Sequence, residues 1–157
     1  MTKAELLESA KKITQPTIKT AEEFSQKRDH LVTQINQVMA GRKDLKQLIG
    51  EGNEQMMEDN HNNHAQFMET VFYSYSPEVL VETVLWVFRA YHSHGFQLTY
   101  WPAQLSTWNR VLQETLSPNS AKEILFFYQW MMIHVPVFTR LSESWEGSEA
   151  LDPASKH

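Results

Sequence analysis

The chain has 157 residues, 41% hydrophobic and 21% charged, a balance that suits one folded domain with a real core and excludes wholesale disorder. A net charge of -5 with no basic stripe argues against nucleic acid as a partner. With no cysteine, neither a disulfide framework nor a thiolate metal site can form.

The N-terminal run MTKAELLESAKK lacks the continuous apolar stretch of a secretory signal. Thr2 with Glu5 reads instead as a capping box, opening a helix that runs to about Gln15–Pro16. Thr20 with Glu23 repeats that signal. Phe24, Leu31, Val32, Ile35, Val38 and Met39 then recur at helical spacing up to Gly41, a natural C-terminal cap. A short helical turn, Lys43 to Ile49, precedes the Gly50–Gly52 break.

From Asn53 to about Tyr75 the pattern predicts a helix, weakened in its middle by Asn60, Asn62 and Asn63. Ser76–Pro77 opens the next, with a Ser cap and Pro in the first turn, and it runs from Glu78 to about His94 before Gly95. Pro102 places another helix start near itself, ending about Leu116, and Ser117–Pro118 opens the last, about Asn119 to Leu141. That last segment is apolar nearly all round, so it is expected to be buried or to form an oligomer interface. Pro136 should kink it. The most apolar run, Ile124 to Phe138, is interrupted by Gln129, His134 and Pro136 and falls short of the ~20 residues of a membrane span. A cytoplasmic protein is the expectation.

No stretch alternates like a strand, so the fold class is all-α, with about six to seven helices in one domain over 1–142. Within it, residues 1–52 are polar, and 53–142 carry the aromatic-rich core. Residues 61–142 hold 16 of the 18 Phe, Trp and Tyr. From 143 to 157 the composition is that of a disordered acidic tail.

Three groups of side chains invite a chemical reading. His92 and His94 lie beside Tyr91, Phe96 and Trp101, and an imidazole in an aromatic slot is what an axial haem ligand requires. The plainer alternative is that both His cap a helix C-terminus, where the dipole favours them. Glu58, His61 and His64 have a spacing of three, half of a carboxylate-bridged di-iron signature, and define a candidate metal site. No second Glu-x-x-His occurs, and a solvated turn of helix is the alternative. His134, between Ile133 and Val135, is the third, read first as a hydrogen-bonded core residue. For catalysis there is no Gly-rich phosphate loop and no nucleophile elbow. Glu69, Glu78, Glu82, Glu114 and Glu123 take solvent-facing positions, so paired-carboxylate chemistry is not expected.

The run from Arg89-Ala90 through Gly95-Phe96 to Trp108-Asn109-Arg110-Val111-Leu112, with the closing Ser142-Glu143-Ser144-Trp145-Glu146, resembles the N-terminal domains of stressosome proteins of the RsbR type. Those are globin-like domains without haem. Globin-coupled haem sensors look similar over the same corner, with their proximal His four residues before the corner's Gly; here that position is Tyr91, followed by His92. The resemblance implies a sensory, signal-transducing domain that binds haem or another small ligand, dimerises through its last two helices, and acts on a partner protein. A plain antiparallel bundle is the alternative architecture. A ligand-free homo-oligomeric interaction domain and a small helical metalloprotein are the alternative functions.

Overall fold

Helix ends in this chain are set by a few side chains, and most of them do what their sequence positions imply. A computed structural model describes residues 1–144. Among these the chain forms eight helices and no strand: α1 (Lys3–Ala10), α2 (Ile18–Ala40), α3 (Leu45–Ile49), α4 (Glu54–Tyr73), α5 (Pro77–His92), α6 (Tyr100–Thr115), α7 (Pro118–Ile133) and α8 (Val135–Glu143). The fold is all-α and a single domain. The expected tail, and Trp145 and Glu146 of the resemblance, lie outside the described residues, except that Glu143 closes α8 and Ser144 follows it.

At α1 the capping box is complete: Glu5 N donates to Thr2 Oγ1 at 3.1 Å, and Thr2 N donates to Glu5 Oε1 at 2.9 Å. The helix stops at Ala10, five residues earlier than the sequence suggests. The chain that follows is tied to the end of α4 through Gln15, which donates to Phe72 O and accepts from Tyr75 N, each at 2.6 Å.

The second capping box does not form. Thr17 caps α2, accepting from Thr20 N, so the helix begins three residues sooner than expected. Glu23 is thereby released for a different task. Its carboxylate accepts from Ser117 N, Ser117 Oγ and Ser120 Oγ, each at 2.7 Å, and so caps α7 across the molecule. Ser117 itself makes no side-chain cap to α7.

Pro136 does more than kink the last helix. Proline has no N–H to give to Met132 O, and its ring crowds that carbonyl. The helix ends at Ile133, and α8 restarts after His134 with Pro136 in its first turn. This break supplies the eighth helix beyond the seven the sequence suggests. His134 is half-buried, and its Nδ1 lies 2.7 Å from Trp130 O.

The packing explains where space is left. α2 packs on α4 and α6 and also touches α7, while α6 packs on α7. α5 takes its main support from α8 and α1, more than from α4, its neighbour in sequence. The core these contacts enclose includes Phe24, Phe72, Trp108, Phe127 and Tyr128, all fully buried. Each such side chain contributes roughly 2–3 kcal/mol by leaving water.

Two corners are stitched together at one end. Asn53 Nδ2 donates to Ile49 O (2.7 Å) and to His94 O (2.9 Å), while Gln97 N donates to Leu48 O (2.7 Å). Gly95 sits here at φ 99°, a conformation costly for any residue with a Cβ. Among the described residues no helix is long and apolar enough to cross a membrane.

Candidate ligand cleft between α4 and α5

Because α4 and α5 are braced by different partners, a cleft of about 500 Å³ opens between them. Asn60, Asn63, His64 and Phe67 line it from α4, with the spacing of one helix face. Val84, Val87 and Tyr91 face them from α5, Trp101, Gln104 and Leu105 come from α6, and Met131 from α7. Among the described residues lining it there is no Lys, Arg, Asp or Glu. This volume and mixture, apolar walls with a few convergent polar groups, are those of small-molecule sites.

The polar groups are held by a buried network. Asn60, 3% exposed in the middle of α4, accepts at Oδ1 from Tyr100 Oη (2.8 Å) and from Gln104 Nε2 (3.1 Å). The amides of Asn60 and Asn63 also engage the Tyr91 hydroxyl. The Asn-rich stretch expected to weaken the helix is thus continuous helix, because tertiary partners satisfy side chains that would otherwise compete with the backbone.

His61 and His64 leave α4 in different directions. His61 is fully buried on the α2 and α6 side, with Nδ1 2.6 Å from Asn36 Oδ1 and Nε2 3.2 Å from Tyr100 Oη. Both ring nitrogens are engaged. His64 is half-buried in the cleft wall, its Nε2 2.6 Å from Tyr128 Oη, with its ring 5.0 Å from that of Trp108. The buried Tyr128 hydroxyl has one proton to place, and donating it to Nε2 fixes the His64 tautomer with its own proton on Nδ1. Burial pushes both imidazoles down to about 3, and at His61 the neighbouring His64 adds to the effect. Both are neutral at physiological pH.

The sequence-derived candidates distribute unevenly around this site. Tyr91 and Trp101 line the cleft. Phe96 is buried behind them, in edge contact with Tyr91 (5.1 Å) and Tyr100 (4.9 Å). His92 is exposed, with Nδ1 3.0 Å from Phe96 O, and neither it nor His94, which is half-buried, is part of the cleft lining. Glu58, His61 and His64 do not converge, and among the described residues no three His, Cys, Asp or Glu come together to hold a metal ion.

Two of the glutamates expected at solvent-facing positions do structural work instead. Glu69, 24% exposed, pairs with Arg28 at 2.7 Å, and Glu123 accepts from Thr17 N and Thr20 Oγ1, each at 2.7 Å.

Sequence reasoning missed Asn60, Asn63 and Gln104. The available signal was the spacing Asn60, Asn63, His64, Phe67, which puts amide, imidazole and ring on one stripe. One further feature carries chemical weight. The Trp101 indole Nε1 is buried with no hydrogen-bond partner among the described residues; so is that of Trp108, which does not line the cleft. No family model, no curated protein and no solved structure gives a significant match to this chain.

Proposed function

We propose that this chain is a globin-like sensory domain in which a small ligand, held in the cleft between α4 and α5, biases helix packing that a partner protein reads. The cleft is the observation that carries this reading. A neutral cavity of about 500 Å³, walled by two helices that take their main support from other elements, takes up a ligand and couples it to the position of α5. The helix order supports the globin-like part. α5 leads into the corner at Gly95, and α6 and α7, which pack on each other, follow it.

Haem held through His92 does not fit these residues. His92 points its Nδ1 at Phe96 O outside the cleft, and the histidine that does line it, His64, has Nε2 engaged by Tyr128. The reading therefore concerns a ligand that needs no axial imidazole.

Arg89 supports a route for transmission. Arg89, one turn before the end of α5, donates to Ser142 O (3.2 Å) and Glu143 O (3.4 Å) at the C-terminus of α8. A cation there is favoured by the helix dipole. A shift of α5 on ligand binding is carried to the end of α8 through this clamp.

Titration with prodan, an uncharged fluorescent ketone, tests the reading. Saturable binding with a blue-shifted emission is expected in the wild type, abolished by Val87→Trp, which fills the cleft, with little change in thermal stability. Binding indifferent to that substitution overturns it.

A second reading has its own support. Phe126 and Ile133, seven residues apart on α7, are 55% and 71% exposed. A homodimer through this face is the corresponding proposal, and sedimentation at micromolar concentration checks it.

A further inference from the structure

The cleft has a length and a direction. From Asn60 to Thr70 its lining runs about 15 Å along α4, and α5 faces it from Tyr91 back to Val79. The loop between Tyr73 and Pro77 joins the two helices at one end, and at the other the amides of Asn60 and Asn63 engage the Tyr91 hydroxyl. Exposure changes along this length. Asn60, Phe88 and Tyr91 are buried, Thr83 and Val87 are half-buried, and Thr70 and Val79 are exposed. The space is deep at Asn60 and Tyr91 and opens towards Thr70 and Val79.

The two ends differ in what they offer a ligand. At the deep end polar groups are spent on one another: Asn60 Oδ1 accepts from Tyr100 and Gln104, and the Trp101 indole nitrogen is closed off from the cleft. A hydroxyl carried there loses its water without a partner in exchange. A methyl group meets Val87 and the stacked rings of Phe88 and Trp101 instead. At the open end the Gln66 amide and the hydroxyls of Thr70 and Thr83 stand beside water. Among the described lining residues there is neither a cation nor a carboxylate to pair with a charged head group.

We infer that the cleft takes an elongated, uncharged amphiphile of the class of a medium-chain alcohol, its apolar end against Tyr91 and its polar head between Thr70 and Val79. This rests on the cleft being a ligand site, and it names the ligand's class and orientation. An extended chain of about ten carbons spans the lining on α4. Each methylene that leaves water adds about fourfold in affinity until the length is used up. Met68 and Met131, with their flexible thioethers, let the wall close on such a chain.

Five single-chain compounds separate the possibilities: 1-octanol, 1-decanol, 1-dodecanol, 1,10-decanediol and decanoate, each titrated calorimetrically into the full chain at pH 7.5. Decanol is expected to bind about tenfold more tightly than octanol, while dodecanol gains less than about twofold over decanol because its extra carbons stay in water. The diol should be weaker than decanol by about tenfold, the cost of a hydroxyl buried without a partner. Decanoate should be weaker by at least about threefold, since its charge gives up water for no counter-ion. With decanol bound, Overhauser contacts are expected from its carbinol protons to the Val79 methyls and from its terminal methyl to Val87, about 12 Å further along α5. A diol as tight as decanol, decanoate as tight as decanol, affinity still climbing at dodecanol, or contacts in the reverse order overturns the inference and leaves the cleft reading standing. If no alcohol binds, the inference falls alone where prodan still binds, and with the cleft reading where prodan does not.

Discussion

The Tyr128 hydroxyl lies 2.6 Å from Nε2 of His64, joining α7 to the wall of the cleft on α4. Tyr128 is fully buried, and no other partner for its hydroxyl competes for that proton among the described residues. Removing the hydroxyl leaves an imidazole acceptor unsatisfied in a half-buried place. Tyr128→Phe is expected to cost about 1–2 kcal/mol in urea unfolding. It should also release the His64 tautomer, seen as a mixture of Nδ1–H and Nε2–H forms in ¹⁵N spectra, where the wild type shows the Nδ1–H form alone.

Acid sensitivity follows from the two imidazoles. His61 is pushed down to about 3 when folded, against an ordinary value of 6.5, so the unfolded chain binds its proton first. The stability it confers is complete above about pH 6.5 and is lost as the pH falls from there towards 3. Each such group contributes a slope of about 1.4 kcal/mol per pH unit within that window. Unfolding free energies at pH 7, 6 and 5 are expected to fall accordingly in the wild type. In His61→Gln the slope should be shallower by about one group, at a lower overall stability.

Glu23 provides a second, lower window. Burial alone would raise its carboxyl, but hydrogen bonds from Lys27, Ser117 and Ser120 outweigh that and hold it down to about 2. Its stabilisation is present above about pH 4.5 and disappears as the pH drops towards 2. Glu23→Ala removes the cap of α7 as well as these bonds, and should cost about 2 kcal/mol at pH 7 by urea titration. Glu22→Ala, on an exposed neighbour, should change stability by less than about 0.5 kcal/mol.

The clamp between α5 and α8 separates binding from response. Arg89→Met keeps much of the side-chain packing but loses the bonds to Ser142 O and Glu143 O. Prodan affinity is expected to stay within about twofold, since Arg89 does not line the cleft. Ligand-dependent protection of α8 amides in hydrogen exchange should disappear in this variant and be evident in the wild type.

Much of the fold was legible because helix signals are local. The Thr2–Glu5 box, Ser76 before Pro77, Ser117 before Pro118, and Gly95 at its corner depend on neighbours a few residues away, and each marks a real boundary or turn. Glu23 shows where this fails. Its spacing from Thr20 is that of a capping box, yet its partners lie 94 and 97 residues further along the chain. Asn60 and His61 fail in the same way, since only Tyr100, Gln104 and Asn36, from other helices, make them fit inside a helix. Tyr91 and Trp101 of the cleft lining were legible, but the cleft as a space was not. It depends on which helices do not pack together, and periodicity describes only the faces that do.

Direct localisation of a bound ligand tests the cleft most simply. With prodan at saturation and the Leu, Ile, Val and Met methyl groups labelled, intermolecular nuclear Overhauser effects should reach Val84, Val87, Leu105 and Met131, which line the cavity. They should be missing at Ile133 on the exposed face of α7. Contacts to Ile133, with none to the methyls of the cleft, would contradict a ligand site between α4 and α5.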